Sequence, residues 1–203
     1  MAHALRRSVV RPRALFAQAL GRDFTRLPPA IRRDHEVDER LVLTGRAAVT
    51  GAASWPARMV AMLFGLPRSV ADAPVTVEMR ADRDGEKWAR TIAGRTFHSR
   101  LGPSARRSHV TERFGPLTFV LALTAHPEGL DLAIVGGRIG PIPLPRWLLP
   151  HSLATERCDA QGRFCFDVPI VLPFVGRLVH YRGWLEPVEP QMSASAVAAV
   201  ARG

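Results

Sequence analysis

Residues 75–101 read Val75-Thr76-Val77-Glu78-Met79-Arg80, the break Asp82-Arg83-Asp84-Gly85, then Glu86-Lys87-Trp88-Ala89-Arg90-Thr91-Ile92, the break Ala93-Gly94, then Arg95-Thr96-Phe97-His98-Ser99-Arg100-Leu101. Large apolar groups recur at alternate positions within each run, and a strand sends alternate side chains to opposite faces. The breaks carry the residues of tight reversals. Consecutive antiparallel hairpins follow from this pattern, and it continues down the chain. Further strands are predicted over 108–114, 117–125, 130–135, 152–158, 163–172 and 176–185, separated by Gly102-Pro103-Ser104, Gly115-Pro116, His126-Pro127-Glu128-Gly129 and Gln161-Gly162. So many short strands predict an α+β fold: a highly curved antiparallel β-sheet or open barrel of eight or more strands, since a flat sheet that wide exposes both edges.

Upstream, Ser54-Trp55-Pro56 reads as a helix N-cap with proline in the first turn. Met59, Val60, Met62, Leu63 and Phe64 follow at helical spacing until Gly65 and Pro67. So apolar a helix is expected to pack against the concave side of the sheet. Two short helices are predicted before it, from Ala14 to Leu20 with Gly21 as its stop, and from Leu27-Pro28-Pro29 to His35, covering a sheet edge. A strand over 40–49 carries Gly45 as a bulge. The expected organisation is a flexible basic arm (1–12), one α+β domain (13–186) and a disordered tail (187–203) rich in Ser, Ala and Pro.

The chain has 203 residues, 47% of them hydrophobic, enough for one full core. Its formal net charge is +10. The arginines are spread along the sequence and Lys87 is the sole lysine, so no built phosphate track is legible and nucleic acid is not expected as a partner. Cys158 and Cys165 flank a turn-like Asp159-Ala160-Gln161-Gly162. They read as free thiols of a cytoplasmic protein rather than a disulfide or zinc pair. Arg6-Arg7 is followed by Arg11-Pro12-Arg13 where an export signal needs an apolar stretch, and the run Leu117 to Ala125 falls short of the roughly 20 residues of a membrane span.

No nucleophile paired with a base, no metal-ligand spacing and no phosphate loop is legible, so neither a catalytic residue, a metal nor a cofactor is assigned. Asp34, His35, Glu36, Asp38 and Glu39 form one acidic cluster, read as a solvated loop. Gly136-Gly137-Arg138-Ile139-Gly140 misses the dinucleotide spacing and precedes Pro141, Pro143 and Pro145, so it reads as a turn. The stiff segment from Pro141 to Pro150, with Trp147, Leu148 and Leu149, suits either a lid on the sheet or a partner surface.

Leu15-Phe16 through Leu20-Gly21, Leu27-Pro28-Pro29-Ala30, Trp88-Ala89-Arg90, Glu112-Arg113-Phe114-Gly115-Pro116-Leu117, Leu144-Pro145 with Leu149-Pro150, and Gly176-Arg177-Leu178 with Tyr181-Arg182-Gly183-Trp184-Leu185 come in a familiar order. Over roughly residues 14 to 186 the chain resembles a bacterial domain of unknown function, number 4166. Such domains occur alone or behind an NAD-binding domain of the saccharopine-dehydrogenase type. They tend to read Phe-Gly-Gly-Arg after the tryptophan, where this chain has Thr91-Ile92-Ala93-Gly94-Arg95. The resemblance implies a shared fold and brings no reaction, cofactor or catalytic residue.

Arginines stand beside aromatics on the predicted strands. On an outer face they would make cross-strand pairs, whereas inside they would need a carboxylate or a ligand anion. The second arrangement makes Trp88, Arg90, Phe97, Arg113, Phe114, His180, Tyr181, Arg182 and Trp184 the candidate ligand-binding set, aromatics on an apolar body and arginine on its acidic end. The expected function is binding of a hydrophobic or amphipathic small molecule between curved sheet and helix. The alternative, which the resemblance suggests, is an auxiliary or partner-binding domain of an NAD(P)-dependent oxidoreductase system.

Overall fold

The structure, a computed structural model, describes residues 14–188. The basic arm and nearly all of the expected tail lie outside the described residues; Pro187 closes the last strand and Val188 donates its backbone N–H to Val42 O.

The hairpins run as the alternation predicts: β1 Arg40–Thr50, β2 Val70–Asp82, β3 Gly85–Ile92, β4 Arg95–Pro103, β5 His109–Phe114, β6 Leu117–His126, β7 Gly129–Ile139, the two-residue β8 Ile142–Pro143, β9 Leu153–Cys158, β10 Phe164–Leu172 and β11 Gly176–Pro187. All pairings are antiparallel, in the order β6-β5-β4-β3-β2-β1-β11-β10-β9-β7. β6 then pairs along its length with β7, from Leu117↔Ile139 to His126↔Gly129. The curved sheet thus closes into a ten-stranded antiparallel barrel without free long edges.

Three helices accompany it. α1 (Leu15–Leu20) ends at Gly21, whose φ of 59° stops it as expected, and α2 (Pro29–His35) starts on its prolines. A 3-10 turn, Gly21–Arg26, joins them. Because the barrel is closed, these helices cover an end rather than an edge. Phe16 and Ile31 have no exposed surface, and the Ser108 N–H donates to Ala19 O where β4 passes to β5.

α3 (Trp55–Leu63) is capped by Ser54, whose Oγ accepts from Ala57 N. It lies at the opposite end, between β1 and β2, and packs through the small Ala57 and Ala61. Its large side chains face out, with Leu63 82% exposed, so the concave side is occupied by α1 and α2 instead. An apolar moment locates a face, but the short Ala57/Ala61 ridge allows the closer approach to β11.

Other local expectations shift for similar reasons. The β1–β2 irregularity falls between Ala47 and Val49, while a side chain on Gly45 would collide with the Trp184 carbonyl: close strand approach is what demands glycine there. Residues 136–139 belong to β7, and only Gly140 turns. Register sets Cys158 opposite Phe164 and Cys165 opposite Arg157, one step apart, so both thiols are free. Among the described residues no helix is long and apolar enough to cross a membrane.

Two substitutions test this frame. Phe16→Ala removes the side chain that fills the plugged end, and chemical denaturation should show a loss of about 3–5 kcal/mol. Ala93 sits at φ 51° before Gly94 at φ 75°, the left-handed pair of a two-residue hairpin turn. Ala93→Gly removes a Cβ clash and should raise stability by about 0.5–1 kcal/mol, read as a higher denaturation midpoint with unchanged slope.

Candidate functional site

Inward positions follow from register. Arg90 lies opposite Phe97 and Val77, Trp88 opposite Ser99 and Met79, Glu112 opposite Leu101 and Phe119, and Tyr181 opposite Val168 and Val49. These alternate positions bring an arginine into a largely apolar barrel, and its charge is matched there. Arg90 Nη2 donates to Glu112 Oε1 at 3.0 Å and Nη1 to Ser99 Oγ at 2.7 Å, while Ser99 donates to the same Glu112 oxygen at 2.8 Å. The guanidinium lies 4.5 Å from the Trp88 ring centroid and 5.9 Å from that of Phe97. Arg90 and Glu112 keep 19% and 13% of their side-chain exposure, too buried for a solvated pair yet still reachable.

Tyr181 packs 6.3 Å from Phe97. Burial drives its phenol well above the ordinary tyrosine value and the charge of Arg90 offsets part of this. Its hydroxyl is buried and has no hydrogen-bond partner among the described residues. A buried donor and acceptor left unsatisfied is costly unless something else meets it.

A second polar group lies at the plugged end, next to Trp88. Trp88 Nε1 donates to Glu86 Oε2 at 2.8 Å, Phe16 stacks on His35 at 3.9 Å, and His35 Nε2 is 2.6 Å from Glu156 Oε2. Asp34 takes a hydrogen bond from Arg33 Nε at 2.8 Å. Burial lifts the carboxyls of Asp34 and Glu86 above the ordinary range. For His35 burial alone acts downward, but the Glu156 carboxylate, by charge and hydrogen bond, with Glu86 and Asp34 behind it, raises the imidazole above its usual value.

Five of the nine candidate residues therefore face the interior: Trp88, Arg90, Phe97, Phe114 and Tyr181. Arg113, His180, Arg182 and Trp184 do not join them. Asp167 holds His180 at 2.6 Å and Arg182 at 2.8 Å on the outer wall, and Arg163 lies 4.4 Å over the Trp184 ring. The sequence reading missed Ser99, Glu86 and Glu156, and took His35 for part of a solvated loop. Glu78, Glu112 and Asp167 are the internal partners that the sequence offers an inward arginine; Glu112 alone takes that place, at Arg90, while Glu78 and Asp167 pair on the outer wall. The one legible clue was polar residues at the inward parity of otherwise apolar strands.

The fold and its interior define a class: a closed antiparallel barrel with one end stoppered by helices and an apolar, aromatic-lined interior that carries a few buried charged groups. The family model of the Domain of unknown function (DUF4166) matches residues 27–185, and the chain belongs to that family. No curated protein and no solved structure matches it.

The His35–Glu156 pair makes a pH prediction. A histidine whose folded pKa is raised stabilises the fold fully below its unfolded value, about 6.5, and this contribution is lost as pH rises through the folded value. The stability difference between the wild type and His35→Gln, from urea titrations at several pH values, should be largest on the acid side and shrink on the alkaline side.

Proposed function

We propose that this protein binds a hydrophobic or amphipathic small molecule inside the barrel, the apolar body against Phe97, Phe119, Phe166 and Val168 and the polar head at Arg90 and Tyr181. The observation that carries the reading is the buried Tyr181 hydroxyl, unpartnered among the described residues, on a residue that shares the Phe97 ring with the guanidinium of Arg90. Arg90 spends two N–H groups on Ser99 and Glu112, leaving further donors for a carboxyl or carbonyl oxygen.

Barrel width supports it. Eight strands already enclose a space that side chains fill or that holds one small ligand, and ten enclose more. Inward residues near the helix-plugged end, such as Met79, Leu101, Val110 and Leu130, are fully buried. Toward the other end Phe97, Phe119, Ile134, Val168 and Ile170 keep partial exposure. Leu149, buried, and Leu144 reach over Gly137 and Phe119, so the proline-rich segment borders that mouth while Trp147 stays outside.

Thermal shift with palmitate, oleate, farnesol and geranylgeraniol tests the reading. A bound ligand raises the melting temperature by mass action, about 2.7 kcal/mol of added stability at a hundredfold excess over Kd. Tyr181→Phe removes an unsatisfied hydroxyl, so the free protein should be as stable as wild type or up to about 1 kcal/mol more so, while affinity for the responding ligand drops about tenfold. A panel without any shift, or a Tyr181→Phe protein that binds as wild type, defeats the reading.

A further inference from the structure

The two ends of the barrel differ in charge. Connections at the plugged end mix signs, with Asp82, Asp84, Glu128 and Asp159 among them. At the α3 end, residues 51–69, 93–95, 113–117, 138–152 and 172–177 carry the exposed Arg58, Arg68, Arg95, Arg113, Arg138 and Arg146, with Arg177 half-buried, and contain no Asp or Glu. None of these arginines is ion-paired among the described residues. On the outer wall pairing is common: Arg40 and Arg80 meet Glu78, Arg46 meets Asp72, Arg100 meets Asp82 and Arg182 meets Asp167.

The same end carries the large apolar side chains that folding leaves outside. Trp55, Met62 and Leu63 of α3 are 72%, 69% and 82% exposed, Trp147 is 62% exposed and Phe174 89%. Trp147 meets Phe174 edge-on at 6.3 Å. Beside them an apolar recess of about 500 Å³ opens between β7, β10 and the proline-rich segment, with Arg146 at its border. Protruding aromatics and aliphatics among unpaired cations suit a surface that is apolar within and anionic at its face. Phosphates of a nucleic acid would satisfy the arginines and leave Met62 and Leu63 in water. The ion-paired outer wall rules the strands out as the lipid-facing part, so the end of the barrel is what meets the surface.

We propose that the α3 end is a docking surface for an anionic lipid bilayer, Trp55, Met62, Leu63, Trp147 and Phe174 entering the headgroup layer while the unpaired arginines meet lipid phosphates. The inference goes beyond ligand binding in the barrel and does not require it.

Flotation of the full chain with vesicles of phosphatidylcholine alone, or of a three-to-one mixture with phosphatidylglycerol, tests it. Expected is recovery with the anionic vesicles, little with the neutral ones, and weakening as salt rises. Leu63→Asp with Trp147→Asp should abolish recovery, and Arg58→Glu with Arg146→Glu should lower it by about tenfold or more, each at an unchanged melting temperature because the sites are exposed. Wild-type protein that stays with neither vesicle overturns the proposal. So does equal recovery of the Leu63→Asp/Trp147→Asp protein, which would place the attraction elsewhere in this basic chain. A wild type that fails to bind and sediments as a dimer, made monomeric by Leu63→Asp, also overturns it and gives the surface to a second copy. Failure to bind vesicles together with stable capture of an oxidoreductase would give it to a protein partner.

Discussion

Closure of β6 on β7 is the constraint from which the rest follows. A sheet of this many strands must hide its edges, and pairing the sixth strand with the seventh does so at the cost of a wide interior. Side chains from the wall alone fill such a space poorly, and voids forfeit both dispersion contacts and apolar burial. The chain meets this with a stopper from its own beginning: Phe16 and Ile31, entirely buried, enter one end. Filling one end leaves the other as the place where inward residues remain reachable.

A wide interior also lets ionisable groups sit inside without being stranded. Arg90 is covered by two acceptors and a tryptophan face, and His35 by Glu156 and the Phe16 ring. Neither pair is strong evidence of stabilisation, since desolvation offsets much of the attraction, whereas loss of one partner leaves a buried charge exposed to that cost alone. What the pairs do fix is geometry. Trp88 donates to Glu86, underlies Arg90 and stands 6.1 Å from His35, so one ring ties the two polar groups together.

The strands were legible because a period of two survives in residues 75–185 and the reversals carry Gly, Pro and Asp. Facing was not. Trp88 and Arg90 share a parity and turn in; Arg182 and Trp184 share one and stay out, where Asp167 and Arg163 await them. Both pairs look alike locally, and the deciding neighbours lie on other strands. His35 shows the same gap: its partner Glu156 is 121 residues away, so the acidic residues next to it in sequence suggested a solvated loop. α3 misled in the opposite sense. Its apolar stripe argued for burial, yet two alanines make its contact and the bulky residues remain outside.

That last mismatch bears on how the ends of the barrel divide their work. Large apolar side chains in water cost little stability, but they invite association, and here they gather at the one end whose connections hold arginines and no carboxylates. The same end is where Phe97, Phe119 and Val168 can still be reached. A binder of a freely soluble polar metabolite needs neither an oily rim nor unpaired cations around its mouth. On the two proposals taken together both have a use: the rim would hold the mouth against a lipid layer, and an amphipathic guest would cross to Arg90 and Tyr181 without its apolar body passing through water.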